Sequence, residues 1–256
     1  MSKLKNLDSV QVSGKQVLVR VDLNVPMKDG QVSNDARIKR TIPTITELLE
    51  RGASVVLASH MGRPKGQRVP DLSLNPEAIN LRTHLPGIDV LFVSDTVGSI
   101  AAIAAGDLAP GQVLLLENLR FEPGEEANDT DMAAKLAALA DIYVGDAFSC
   151  AHRAHASVQS ITQHLPSVAG RLMEKEIEVL SRALNSSQLP LVAVIGGSKI
   201  STKLGALEHL VTKVQHLVIG GGMANTFLHA KGLNVGNSLC ETQMTETVNN
   251  IQVKAL

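Results

Sequence analysis

The chain contains no tryptophan, one tyrosine and four phenylalanines, and its net charge is only −1. Proteins that bind single-stranded nucleic acid stack bases on aromatic side chains, and general nucleic-acid binders carry a basic excess. Both features are missing here. We therefore expect no nucleic-acid partner, and any site for an anion must be built locally.

Cysteine is also scarce, and long uncharged apolar runs are absent. Cys150 and Cys240 stand far apart without metal-type spacing, which predicts reduced thiols in a cytoplasmic setting. No run is long enough to cross a bilayer, and the N-terminus MSKLKNLDSV has no apolar signal region, so we expect no membrane partner. A length of 256 residues predicts one and a half to two domains.

The run VLVRVDLNVP, at residues 17–26, reads as a buried strand that ends in Asp22 and Asn24. Four later strand-like runs, at 53–59, 89–94, 113–117 and 142–146, end in the same way. The polar residues that follow them are His60, Arg63, Asp95, Glu117, Asn118, Arg120 and Asp146. Because parallel strands present their carboxyl ends at one edge, we expect these residues to share a ligand-binding rim.

Segments with the apolar periodicity of helices separate these predicted strands. Residues 36–51 place five apolar side chains on one face before Gly52, and Pro43 predicts either a kink or the true start of that helix. Residues 129–140 open on an Asp/Thr cap. The alternation predicts a parallel sheet with helices on both faces.

Residues 171–185 are amphipathic and predict a helix that connects two lobes, although one more helix of a single domain would show the same pattern. Two buried strands are predicted within 189–199 and 216–225, each ending in glycines. The predicted fold is α/β, with two Rossmann-like parallel-sheet lobes joined by a helix, the second incomplete. Its domains are 1–170, the connecting helix 171–185, and 186–256. Either something absent completes the second lobe or the chain is a fragment.

Arginine forks suit carboxylate and phosphate, so four arginines near the rim could converge on a small substrate with two anionic ends. They are Arg37, Arg63, Arg120 and Arg153. Each could equally be an exposed surface residue. His152 and His155 have no acidic or thiol residue to complete a zinc set, so we expect no metal site.

The segment GGSKISTK, at 196–203, lacks the spacing of a Walker A loop. It places Lys199 and Lys203 on what we predict to be the first turn of a helix, where a docked phosphate would offset the unfavourable dipole. Two exposed lysines on an ordinary helix are the alternative. GGGMAN, at 220–225, lacks a dinucleotide fingerprint, which disfavours a nicotinamide-dependent oxidoreductase.

Six segments closely resemble, in order, the signature segments of the phosphoglycerate kinase family. They are VLVRVDLNVP, SHMGRPKG, LLENLRFEPGEE, YVGDAFSCAHRAHAS, GGSKISTK and GGGMANTFL. They span residues 17–228, and proteins of that family are usually longer. Ser149 and Cys150 stand where the family commonly has Gly-Thr, and Leu23 where Phe is frequent.

The resemblance implies a cytoplasmic, monomeric glycolytic kinase that transfers phosphate reversibly between 1,3-bisphosphoglycerate and ADP, with Mg held through the nucleotide phosphates. The implied substrate residues are Asp22, Asn24, Arg37, His60, Arg63, Arg120 and Arg153. The implied nucleotide residues are Gly197, Ser198, Lys199, Lys203, Gly221 and Gly222. Arg37 and Lys199 would flank the transferred phosphoryl group after closure about the connecting helix. The alternative is a catalytically incomplete fragment that binds only 3-phosphoglycerate.

Overall fold

The computed structural model describes residues 4–184 and 190–255. Its contacts divide the chain into a first unit that ends at Glu178 and a second that begins at Val179. Four predictions extend into residues outside the described ranges. They are the first domain at its start, the connecting helix at its end, the second domain at its start and at Leu256, and the strand at 189–199 at its start.

The strands of the first unit are β1 (Gln16–Arg20), β2 (Met27–Lys28), β3 (Gln31–Val32), β4 (Ser54–Ala58), β5 (Val90–Phe92), β6 (Val113–Leu115), β7 (Ile142–Gly145) and β8 (Ser167–Ala169). Its helices are α1 (Ala36–Glu50), α2 (Asn75–His84), α3 (Ser99–Gly106), α4 (Pro123–Glu126) and α5 (Thr130–Ala137). The helix α6 (Arg171–Leu184) contains the boundary between the units.

Six strands of the first unit form one parallel sheet in the order β5-β6-β4-β1-β7-β8. All five strands predicted for this part of the chain are present, and β8 is an addition whose three residues carry too short a pattern to detect. The chain leaves β1 toward β4 and leaves β7 toward β8. This divergence opens a crevice beyond the carboxyl ends of β1 and β7, where doubly wound sheets bind ligands.

Successive strand residues point to opposite faces, and each face has its own apolar core. Val17 and Val19 of β1 pack in the core that α1 and α2 cover, while Leu18 packs in the core that α3 and α5 cover. The prediction of helices on both faces is thereby confirmed.

Helix α1 follows its sequence pattern closely. Ile38, Ile45 and Leu48 are buried, and the chain leaves the helix through Gly52, whose φ of +80° suits glycine. Pro43 lies inside the helix, so the alternative that it marks the helix start is wrong.

The second unit contains β9 (Val192–Gly196), α7 (Leu204–Leu210), β10 (His216–Gly220), α8 (Gly222–Ala230) and α9 (Thr245–Lys254). Strands β9 and β10 pair in parallel, as expected for a second sheet. The prediction that both strands are buried is wrong, because the described helices pack on one face only. Ile195 and Ile219 contact that core, whereas Val192, Val194 and Val218 are exposed.

Across the described ranges, no helix combines the length and apolar character needed to cross a membrane.

Candidate functional site

Asp22 is the centre of a polar cluster where β1 ends. Its Oδ2 lies 2.9 Å from Nη1 of Arg37, at the start of α1, and 2.6 Å from Oγ of Ser149, in the loop after β7. Its Oδ1 accepts a bond from the Asn24 backbone N–H at 3.1 Å. Burial raises the pKa of Asp22, but the hydrogen bonds from Ser149 and Asn24 and the charge of Arg37 outweigh it, and the net pKa is lowered. Asp22 is therefore a carboxylate at neutral pH.

Arg37 is held by Asp22 without being buried. Nη1 donates to Asp22 and also to the carbonyl oxygen of Asn24 at 3.0 Å. The side chain is 53% exposed. Two fixed contacts therefore orient a guanidinium group that still has N–H groups to offer a ligand.

His60 lies at the end of β4 and is only 6% exposed. Burial lowers its pKa to about 3, with the positive charges of Arg20 and Arg120 adding to the effect and the charges of Asp22 and Glu125 opposing it. The imidazole is therefore neutral at physiological pH. Among the seven predicted substrate residues, the positive charge is therefore carried by the arginines.

A second group of cations surrounds the loop at Gly62. Its N–H donates to Oδ1 of Asn24 at 3.1 Å, and its carbonyl oxygen accepts from Nη1 of Arg120 at 2.6 Å. Arg63 follows directly and is exposed. Burial lowers the pKa of Arg120, Glu126 opposes this, and the charge of Arg153 lowers it further, which places Arg153 within electrostatic range.

Hydrogen bonds and electrostatic interactions place six of the seven predicted substrate residues in one neighbourhood beyond β1, β4, β6 and β7. The seventh, Arg63, directly follows Gly62 in the loop of that neighbourhood. Of the four arginines predicted to converge, Arg37 lines a cavity beside Asp22. A cavity of about 410 Å³ is lined by Asp22, Arg37 and Ser149 together with Ala36, Arg40, Asp146, Ala147, Phe148, Leu172 and Glu176. Arg63, Arg120 and Arg153 are not among its lining residues.

Three polar residues that the sequence places on the rim hold loops in place. Asp95 accepts bonds from the backbone N–H groups of Thr96, Gly98 and Ala101 and so caps α3. Glu117 accepts from the N–H groups of Leu74 and Asn118 and from the hydroxyl of Ser73. Asn118 bonds to the backbone of Met61 and Leu72.

Asp146 lines the cavity, and one of its two carboxylate oxygens is already hydrogen bonded. Its Oδ1 accepts a bond from the Met173 N–H at 3.0 Å near the start of α6, while its Oδ2 is buried with no hydrogen-bond partner of normal geometry among the described residues. Burial raises the pKa of Asp146 to about 6, although the N–H of Met173, the hydroxyl of Thr44 and the N–H of Leu172 oppose the rise.

Arg20 and Glu125 were missed by the sequence analysis. Arg20 is 2% exposed, Glu125 is fully buried, and Nη2 of Arg20 lies 3.8 Å from Oε1 of Glu125. The available signal was a charged residue inside the apolar run VLVRV. Ser149, noted only as a departure from the family, also contacts Asp22 directly.

In the second unit, two glycine segments pack against each other after β9 and β10. Gly221 has φ of +69°, and a Cβ on it would lie 2.9 Å from the carbonyl oxygen of Gly197. A Cβ on Gly222 would lie 3.1 Å from the carbonyl oxygen of Ser198. Glycine is required for this close approach, which leaves bare backbone where the two strands end.

The prediction that both lysines lie on the first turn of a helix is wrong. Helix α7 begins at Leu204, so Lys203 is at the cap position and Lys199 lies in the preceding loop. Ser201 explains the difference, since its N–H and hydroxyl both bond to Glu241, which pulls the segment out of helical geometry. Lys203 still passes close to Gly197, with Cε 3.1 Å from where a Cβ would be.

Glu241 is the acidic neighbour of this loop. Hydrogen bonding from Ser201 lowers its pKa, burial opposes this, and the charge of Lys199 adds to the lowering. Lys199 thus lies within electrostatic range of a carboxylate at the edge of the glycine segments.

Comparisons with known proteins agree with this arrangement. A family model described as phosphoglycerate kinase matches residues 7–256. Phosphoglycerate kinase of Ruegeria sp. (strain TM1040) is 55% identical over 251 residues, covering 98% of this chain and 63% of that protein. The protein of Sinorhizobium medicae (strain WSM419) is 55% identical over 252 residues with the same coverage.

Solved structures show the same relationship. Phosphoglycerate kinase from Coxiella burnetii superposes with a TM-score of 0.84 at 42% identity, covering 99% of this chain and 63% of that one. The enzyme from Pyrococcus horikoshii OT3 gives a TM-score of 0.80 at 33% identity, covering 98% and 64%. The chain thus spans a little under two thirds of the length of these relatives. By the extent and identity of these matches, the chain belongs to the phosphoglycerate kinase family.

Proposed function

We propose that this chain acts in reversible phosphoryl transfer between 1,3-bisphosphoglycerate and ADP, which gives 3-phosphoglycerate and ATP. The observation that carries the proposal is the cationic neighbourhood of the first unit, where Asp22 orients Arg37 and the Gly62 loop contacts Arg120. A three-carbon acid with a phosphate at one end and a carboxylate at the other matches such a set of guanidinium groups.

The proposed roles divide by chemistry. Guanidinium groups neutralise the two anionic ends, while the acidic, amide and neutral imidazole groups orient the substrate through single hydrogen bonds. The proposed substrate residues are Asp22, Asn24, Arg37, His60, Arg63, Arg120 and Arg153.

The reaction needs no general base in the direction of ATP use, because the attacking carboxylate of 3-phosphoglycerate is already ionised at neutral pH. The protein has to align the reactants and neutralise charge on the transferred phosphoryl group. Arg37 suits this role, since two bonds fix its guanidinium group while half of the side chain stays accessible. We assign the matching role in the second unit to Lys199.

The proposed nucleotide site uses Gly197, Ser198, Lys199, Lys203, Gly221 and Gly222. A nucleotide phosphate fits a pair of lysines beside backbone that no side chain covers, and the tight approach of Gly221 to Gly197 keeps that backbone bare. Mg, reaching the site through the nucleotide phosphates, would neutralise part of their charge.

A coupled assay on this chain, with ATP and 3-phosphoglycerate supplied, tests the proposal directly. Arg37→Ala should lower turnover by about 10²-fold or more, as for the loss of one charge-stabilising donor, while the dissociation constant of 3-phosphoglycerate changes less. Arg68→Ala removes an exposed arginine of the same unit and serves as the control. Equal losses in binding and rate would contradict the role given to Arg37.

The second candidate function is binding of 3-phosphoglycerate without catalysis. It is favoured by the second unit, whose sheet contains two strands in the described residues and leaves Val194 76% exposed. Calorimetric titration separates the two functions. Binding of 3-phosphoglycerate with no ATP-dependent turnover would establish the second function, and absence of binding would reject both.

We also propose that the chain works as a monomer in the cytoplasm. Cys150 and Cys240 are free thiols, which supports a reducing compartment. Sedimentation at micromolar concentration, with and without 3-phosphoglycerate, would measure the oligomeric state.

A further inference from the structure

Arg20, the last residue of β1, is buried beside His60 and belongs to a network that the proposed reaction does not use. Its Nε donates to Oγ of Ser157 at 2.8 Å and its Nη1 to the carbonyl oxygen of Val21 at 2.5 Å. Nη2 lies 3.3 Å from Nδ1 of His60. An arginine side chain has N–H donors and no acceptor.

The hydrogen bond between Arg20 and His60 can therefore run in only one direction, with Arg20 as the donor. Nδ1 of the imidazole has to accept, because a proton on Nδ1 would face a guanidinium N–H at 3.3 Å. The other group near Nδ1 is Sγ of Cys150 at 4.0 Å, which provides only a weak acceptor. A neutral imidazole whose Nδ1 accepts carries its proton on Nε2.

The position of Arg20 is itself fixed by Glu125. Oε1 of Glu125 accepts from the Ser157 hydroxyl at 2.6 Å, and Oε2 accepts from the Ser157 N–H at 3.0 Å. The Ser157 hydroxyl has one proton, which it gives to Glu125, so it accepts from Arg20. His155 lies 3.6 Å from Glu125, and the hydroxyl of Tyr143 donates to the carbonyl oxygen of Ser157 at 2.8 Å. The donor and the acceptor are therefore fixed for each hydrogen bond that joins Arg20, Ser157, Glu125 and Tyr143.

We infer that Arg20 is a positioning residue that holds His60 as the neutral tautomer with its proton on Nε2. His60 then offers one neutral N–H donor, and the arginines alone carry the positive charge of the site. The assignment of this donor to 3-phosphoglycerate rests on the proposed function, but the tautomer itself does not.

Charged groups face His60 from several elements. Arg20 and Arg120 disfavour protonation of the ring, whereas Asp22 and Glu125 favour it, and the balance together with burial keeps His60 neutral. Affinity for an anionic ligand should therefore show no titration step from His60 between pH 5 and 8.

Imidazole nitrogen NMR of the ¹⁵N-labelled full chain tests the tautomer without any substrate. A His60→Gln variant identifies the His60 signals among the eight histidines. We expect a protonated Nε2 and an unprotonated Nδ1 at every pH from 5 to 8. A proton on Nδ1, or titration of the wild-type ring near pH 6.5, would overturn the inference.

Arg20→Met removes the donor and should produce a mixture of tautomers together with a titration of His60 within this pH range. Arg20→Met also leaves Glu125 buried without its counter-charge, so the double variant Arg20→Met/Glu125→Gln provides a neutral network that retains the same test. Arg68→Met is the matched control and should leave the His60 signals unchanged. Unchanged signals in the double variant would contradict a role for Arg20.

Calorimetry with 3-phosphoglycerate supplies the functional test. His60→Phe, which has no donor, should weaken binding by about 10- to 100-fold, the value of one hydrogen bond to a charged group. Wild-type affinity in this variant would overturn the donor role of His60. If the NMR pattern is as expected but the wild type binds no 3-phosphoglycerate, the proposed function fails and the tautomer assignment stands.

Discussion

Glu77, in the first turn of α2, is a carboxyl group that the folded protein keeps buried without compensation. Its side chain is fully buried, and neither oxygen has a hydrogen-bond partner of normal geometry. Burial raises its pKa to about 7, a contact with its own backbone N–H opposes the rise, and the charge of Glu117 adds to it. We predict that Glu77→Gln removes a pH-dependent loss of stability from the first unit.

The sign follows from the raised pKa. Below about pH 4.5, Glu77 is protonated in both the folded and the unfolded chain, and it adds no pH dependence. As pH rises toward 7, the unfolded chain loses the proton first, so the free energy of unfolding falls. Each pH unit between the two pKa values is worth about 1.4 kcal/mol. The full loss, reached above pH 7, is therefore about 3 kcal/mol, and the amide of the Glu77→Gln variant would not titrate.

Urea unfolding at several pH values between 4 and 9 measures this effect. The chain has no tryptophan, and its only tyrosine, Tyr143, is buried in the first unit, so tyrosine fluorescence reports that unit. The variant's stability relative to wild type should rise by about 3 kcal/mol from pH 4 to pH 8. Glu50→Gln, at an exposed position of α1, should show little change. Parallel pH profiles for Glu77→Gln and wild type would refute the reasoning.

Four further substitutions have clear expected outcomes. Ser149→Ala removes a 2.6 Å hydrogen bond to Asp22 and should cost about 1–2 kcal/mol in urea unfolding. Gly221→Ala should lower ATP affinity and destabilise the second unit by more than about 1 kcal/mol in thermal unfolding followed by circular dichroism. Gly205 lies inside α7 with open space around it, so Gly205→Ala should stabilise that unit by about 0.5–1 kcal/mol in the same measurement. Asp95→Ala removes the cap of α3 and should cost about 0.5–2 kcal/mol, and an unchanged urea midpoint would contradict the capping role.

The candidate site was only partly predictable from sequence. Asp22 and Asn24 directly follow β1, and Arg37 lies at the start of α1. The local sequence pattern predicts both positions, and hydrogen bonds bring the three residues together. The partnership of Asp22 with Ser149 joins residues 127 positions apart, and no local pattern records it. Asp95, like Asp22, follows a strand-like run in the sequence, but in the structure its carboxylate caps α3.

The second unit shows the same division between local and distant causes. Its two parallel strands were predictable, since each is an apolar run that ends in glycine. Val194 is exposed because the described helices cover the opposite face of the sheet. The apolar periodicity of the strand does not predict which face the helices cover. The start of α7 depends on Glu241, 40 residues beyond Ser201, and so the lysines were assigned to the wrong turn.

The sequence by itself determined the order of strands and helices, the parallel sheet and the family, because apolar periodicity and signature segments are written in neighbouring residues. Only the tertiary structure decided how charges pair. Glu125 pairs with Arg20 across the fold, and Arg20 in turn selects the tautomer of His60. Burial and distance between remote residues set the energies of such groups, and these quantities exist only after the chain has folded.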